Sequence, residues 1–147
     1  MLVTAAGGRI RKNPNGLEAI IAKNIKINEI GVKHPIYKNK NNRFNAFCWH
    51  YDDAEILPNN TKVLASNEKS QFQSISFTNK NSEVWAVQYH PEFNPAWVSK
   101  LMMQRQDILL NNKIYNSVTD FENDKLFFEN FKKINLNENE KYRDLVD

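Results

Sequence analysis

Between Val84 and Leu101 the chain reads VWAVQYHPEFNPAWVSKL, and its two prolines dictate where an extended run must end and where a helix must begin. Pro91 fixes its own φ and biases His90 away from the helical region, so the run from Glu83 to Tyr89 stays extended to its end. Asn94 then offers a side-chain cap, and Pro95 takes the first helical position, where a missing N–H costs nothing. Trp97, Val98, Leu101, Met102, Ile108 and Leu109 recur at helical spacing as far as Asn111-Asn112. A strand, a short polar link and an amphipathic helix must therefore follow one another. The link holds a histidine and a glutamate two residues apart.

The rest of the chain carries similar punctuation. Met1 to Ala6 reads as the last turns of a helix stopped by Gly7-Gly8. A short strand is predicted over Gly8 to Arg11, a turn at Asn13-Pro14-Asn15-Gly16, and a strand from Leu17 to Asn28. His34 to Arg43 is polar and reads as a loop, with His34 exposed. Phe44 to Tyr51 is an aromatic-rich strand, and Asp52 to Pro58 a turn or short helical connection. Thr61 to Ser66 is a further strand. Gln71 to Thr78 and Glu83 to Tyr89 flank Asn79-Lys80-Asn81 as a hairpin. A helix from Thr119-Asp120 to about Lys133 turns Phe121, Leu126, Phe127 and Phe131 inward, and the tail from Asn135 to Asp147 is polar.

Composition narrows the functional classes. The chain has 147 residues, enough for one domain with an apolar core. Lys+Arg number 20 against 17 Asp+Glu, but the lysines are dispersed among asparagines and acids. That pattern is a solvated surface, and no nucleic-acid partner is expected. Cys48 is the one cysteine, so no internal disulfide forms and a reducing compartment is expected. The apolar start is broken by Gly7-Gly8, far short of a membrane span, and a cytoplasmic location is expected. Three scattered histidines give no metal-ligand spacing, and Arg9, Arg11 and Lys12 lack a Gly-rich phosphate loop; no cofactor is expected.

His90 and Glu92 admit two readings from spacing alone. Glu92 accepts a hydrogen bond from one imidazole nitrogen while the other faces a nucleophile, the base-and-orienter logic of a catalytic triad. Alternatively, His90 is satisfied by a backbone carbonyl and Glu92 sits in the first turn of the helix, where its charge suits the dipole. Cys48 lies two residues before His50 on one face of its strand. A strand interior lacks the sharp turn that exposes a nucleophile, so Cys48 reads as a small buried hydrophobe.

The wording of the sequence adds to its spacing. VWAVQYHPEF resembles the GVQFHPE segment of class I glutamine amidotransferases, triad enzymes that hydrolyse glutamine to glutamate and ammonia. LVTAAGGRIRKNPNGLE is similar to the helix after that family's nucleophile elbow, its Gly-Gly stop and the strand-turn-strand beyond. FNAFCWHYDDAEILPNN resembles the SHGD...LP segment, and TKVLASNEKSQFQSIS the stretch that follows it. Four similarities in register cover roughly Met1 to Leu110. Within the family, the chain resembles a stand-alone member related to the amidotransferase half of GMP synthase.

This resemblance implies an α/β fold, the C-terminal portion of a flavodoxin-like amidotransferase domain, with a mixed sheet, a hairpin and a helical tail. It implies a partial amidotransferase domain over residues 1–112 and a helical extension over 113–147. His90 would be the general base and Glu92 its orienting residue, while the backbone of Trp49, His50 and Tyr51 would border bound glutamine or a related γ-glutamyl compound. Here Trp49 replaces a usual Ser or Asn and Tyr51 a usual Gly; Trp49 equally suits packing on the core. The family's nucleophilic cysteine, from a G-x-C-x-G-x-Q elbow, would fall upstream of Met1, so an N-terminally truncated chain is expected, inactive alone. A non-catalytic binding or regulatory protein keeping the same surface is the alternative. Lost first strands would leave a sheet edge open to a protein partner.

Overall fold

A computed structural model describes residues 2–131. The polar tail expected from Asn135 lies outside the described residues. The chain opens with a short helix, α1 (Leu2–Ala5), closed where Gly7 takes φ +88° and Gly8 donates its N–H to the Val3 carbonyl at 2.9 Å. Strand β1 (Arg9–Lys12) follows and turns at Asn13 to Gly16, where Asn13 Oδ1 accepts from the Asn15 N–H at 2.9 Å.

Strand β2 (Glu18–Ile27) is the centre of the molecule, pairing with β3 (Arg43–His50) and, at its far end, with β5 (Lys62–Ser66). Strands β6 (Ser74–Asn79) and β7 (Ser82–Val87) complete a five-stranded sheet in the order β3-β2-β5-β6-β7. Strand β4 (Asp52–Ile56) pairs separately with β1. The α/β class expected from the sequence is what the structure has. Every pairing among the described residues is antiparallel, where a mixed sheet was expected. Parallel neighbours need a crossover of a dozen or more residues, usually helical, and no such helix links these strands.

Three local expectations are corrected, and one short helix is added. Asp52 to Pro58 is no turn or helical connection but contains strand β4. Its acids face the basic β1, with Lys12 opposite Asp52, Arg11 opposite Asp53, and Arg9 Nε 2.7 Å from Glu55 Oε2. Cross-strand opposite charges favour the extended pairing. A one-turn helix, α2 (Glu29–Val32), follows β2 because Asn28 Oδ1 caps the Ile30 and Gly31 N–H groups. His34 is buried, not exposed: its Nδ1 accepts from the Ile36 N–H at 3.3 Å and its ring meets Trp85 edge-on at 4.9 Å. The helix from Pro95 divides at Arg105 into α3 (Pro95–Gln104) and α4 (Gln106–Asn111), the Arg105 N–H reaching back three residues to the Met102 carbonyl.

Alternation along β3 separates two cores, because successive side chains point to opposite faces. Phe47 joins Ala19, Ile21, Val98, Met102 and Leu109 beneath the helices. Phe44 and Cys48 face the other way, onto Ile25, Tyr37, Leu64 and Ala65. Helix α5 (Val118–Glu129), capped by Ser117, buries Phe121 and Phe128 in the first cluster. Leu126, expected inward, is 49% exposed, and Phe128 takes the inner position. The backbone of β2 is unusual at Ile20, which holds φ +68°, a conformation costing a β-branched residue about 1–3 kcal/mol, and is buried.

Candidate functional site

Strand β7 ends at Val87, and the next three residues deliver His90 to the end of β3, where its N–H donates to the Phe47 carbonyl at 2.7 Å. Pro91 prevents the helix from starting early, and the Phe93 N–H closes a turn onto the His90 carbonyl at 3.2 Å. Asn94 Oδ1 then caps α3 through the Trp97 N–H at 2.9 Å. These local rules fold Glu92 back so that its Oε1 lies 2.7 Å from His90 Nδ1. The hydrogen bond from His90, followed by a backbone hydrogen bond, holds the Glu92 carboxyl below the ordinary glutamate range.

A carboxylate at Nδ1 fixes the tautomer with the proton on that nitrogen and leaves Nε2 as the basic lone pair. Nε2 makes no hydrogen bond among the described residues. The ring is further held by Phe93, stacked on it at 4.1 Å between centroids and 4° between planes, with Trp97 against Phe93 at 4.2 Å. Sequence reasoning missed Phe93. Its signal was available: an aromatic three residues after His90 across an X-Pro turn is placed to cover the ring.

His90 lines a cavity of ≈ 610 Å³, together with Leu2, Val3, Trp49, Tyr51 and Trp85. The start of α1 and the end of β7 thus face one space. Trp49 is half-buried and packs against the helix-side core, while the Tyr51 side chain is 45% exposed. The His50 ring is engaged on both nitrogens, Nδ1 by the Asp52 carbonyl at 3.1 Å and Nε2 by Glu18 Oε2 at 2.8 Å. Of this segment the His50 ring is thus committed within the protein, while Trp49 and Tyr51 line the cavity.

Glu18 is the second residue the sequence did not single out. It is 4% exposed, at the start of β2 in an otherwise apolar stretch, and an acid in such a position needs partners. Cys48 is 1% exposed, and burial, then the Glu18 charge, pushes its thiol well above the usual value. It is a neutral core side chain turned away from the helix-side cluster. Among the described residues no group of three or more His, Cys, Asp or Glu could hold a metal ion, and no helix is long and apolar enough to cross a membrane.

The fold and the pair together define an α/β protein that presents a histidine–carboxylate dyad at a strand end beside an open cavity. The model of the family Glutamine amidotransferase class-I matches residues 1–107. The chain belongs to the class I glutamine amidotransferase family. It is 30% identical over 97 residues to a γ-glutamyl-L-1-hydroxyisopropylamide hydrolase of a Pseudomonas species, covering 64% of this chain and 32% of that protein. It is 27% identical over 104 residues to one subunit of the glutamine-hydrolysing GMP synthase of Methanococcus vannielii, covering 71% of this chain and 51% of that protein. In fold it is similar to a glutamine amidotransferase from Thermotoga maritima, with a TM-score of 0.61 at 19% identity over 90% of this chain and 55% of that one. The chain thus spans about half the length, or less, of the curated relatives it matches.

Proposed function

We propose that this protein supplies the proton-handling part of a glutamine-hydrolysing site, acting on glutamine or a related γ-glutamyl compound, with a thiolate contributed from outside residues 1–147. The observation that carries this reading is the 2.7 Å contact between His90 Nδ1 and Glu92 Oε1, with Nε2 unengaged beside the cavity that α1 also lines. The thiol gives its proton to His90 Nε2, and the thiolate so formed attacks the γ-carboxamide carbon while electrons collect on the carbonyl oxygen. As the C–N bond breaks, His90 Nε2 gives its proton to the departing amine. A water then loses a proton to the same nitrogen and attacks the thioester, and as the C–S bond breaks that proton passes to the departing thiolate, releasing glutamate and the thiol. Glu92 keeps Nδ1–H in place and stabilises the imidazolium between the two transfers. The names of the relatives agree in chemistry: one hydrolyses a γ-glutamyl amide, the other glutamine.

Cys48 is not that nucleophile, because it is sealed in the second core and its thiol is held neutral. That burial also favours a second reading, a binding or regulatory protein that keeps the surface without turnover. Leu2, Ile10, Ile56 and Trp85 leave apolar surface beside the cavity, and a protein partner there belongs to the same proposal. A glutamine titration followed by NMR tests the common core of both readings. The His90 ring and the Trp49–Tyr51 amides should shift together while His34 stays silent. No response at His90 removes the proposal.

A further inference from the structure

Behind the wall that borders His90 lies a second histidine–carboxylate pair, and it is not isolated. Three donors converge on the buried Glu18 carboxylate: His50 Nε2 at 2.8 Å and Gln73 Nε2 at 2.6 Å on Oε2, and Asn67 Nδ2 at 2.6 Å on Oε1. On its other side the His50 ring meets the Asp52 carbonyl at 3.1 Å. Both ring nitrogens are thus engaged within the protein, one by a carboxylate and one by a backbone carbonyl.

The Asp52 carbonyl also accepts from Gln88 Nε2 at 2.8 Å, and Gln88 stands two residues before His90. The Gln88 backbone N–H in turn donates to the Gln73 carbonyl at 2.8 Å, and the Gln73 side chain returns to Glu18. The result is a closed circuit through Glu18, His50, Asp52, Gln88 and Gln73. It ties the starts of β2 and β4 and the end of β3 to the strand end that presents His90.

Fold stability is a poor explanation for this circuit. A buried ionic cluster is often no more stabilising than apolar side chains of the same volume, and here Gln73 Oε1 is buried without a partner. What such a cluster supplies is direction: each bond has one geometry, and the parts it joins cannot slide.

We propose that Glu18 and His50 are positioning residues of the candidate site, setting the separation between the Trp49–Tyr51 wall and His90. The inference rests on the functional reading above, since the γ-glutamyl ligand is what the two edges would hold between them.

A glutamine titration of isotope-labelled protein, read at the His90 ring and the Tyr51 amide, tests it in the wild type, Glu18→Gln, and Glu18→Gln combined with Gln73→Glu. Glu18→Gln is expected to weaken glutamine roughly tenfold, less than the about hundredfold that a misplacement of about 1 Å can cost. The pH titration of His90 should stay unchanged in that variant, and the double variant, which returns a carboxylate to the cluster, should restore most of the affinity. Unaltered affinity in folded Glu18→Gln overturns the positioning role and leaves the functional reading standing. No response to glutamine in the wild type overturns the functional reading and this inference with it. If Glu18→Gln fails to fold, Gln88→Ala opens the same circuit from its exposed side, and unchanged affinity there overturns the inference.

Discussion

Two histidine–glutamate contacts of nearly equal length divide the work of this molecule: His90 with Glu92 at 2.7 Å and His50 with Glu18 at 2.8 Å. The side chains of the first pair are 33% and 65% exposed, those of the second 9% and 4%. The first is built by neighbours in sequence around a proline and has one ring nitrogen to spare. The second joins two strands across 32 residues and has none to spare. In the reading proposed above, the same two chemical groups make a dyad that passes protons in one setting and a fixed brace in the other, and solvent access with an unengaged nitrogen makes the difference.

The largest expected effect separates the pairs by turnover. When a cysteine-bearing chain completes the site, His90→Ala should lower glutamine hydrolysis by about 10²–10⁴-fold, the usual share of a general acid–base, with stability changed by no more than about 0.5 kcal/mol. Ammonia release and urea unfolding measured on one preparation check both halves. Glu18→Ala should do the reverse to the fold. It breaks a buried pair and removes the acceptor on which His50, Gln73 and Asn67 converge, at a cost of about 3–5 kcal/mol, against no more than about 1 kcal/mol for Glu92→Ala. Equal urea midpoints for these two variants would erase the distinction drawn here.

Cys48 sharpens the comparison from the core beside Glu18. Its thiol should resist a water-soluble alkylating reagent in the native state and react at the rate of a free thiol once unfolded. Because its folded pKa is raised, it favours the native state below the unfolded thiol value, and this contribution fades as pH rises toward the folded one. Stability against alkali in Cys48→Ala, compared with wild type, reads this directly. The smallest effect belongs to Glu92. Its folded pKa is depressed, so its contribution is present above the ordinary glutamate range and is lost as pH falls through the lower folded value. With so exposed a carboxylate, the acid-side stability of Glu92→Gln should differ from wild type by less than about 1 kcal/mol.

What could be read from the sequence follows the same division. The Pro91 and Pro95 punctuation placed the strand end, the helix cap and the His90–Glu92 contact, because each depends on residues within a few positions. Strand β4 was misread because Asp52 to Ile56 becomes extended only when the basic β1 lies beside it, a contact between segments distant in sequence. Glu18 passed unnoticed for the same reason: its partners His50, Asn67 and Gln73 arrive from three other segments. His34 looked like a loop residue, and the Trp85 ring that covers it comes from β7. Long-range polar pairing was invisible where local backbone chemistry was plain.

The central proposal is that His90 and Glu92 serve a nucleophile that is not placed beside them among the described residues. Ammonia release from glutamine, measured with the purified 147-residue chain alone and with its His90→Ala variant, puts it to the test most directly. The predicted result is background release from both proteins. Steady turnover by the wild-type chain that disappears in His90→Ala would contradict it.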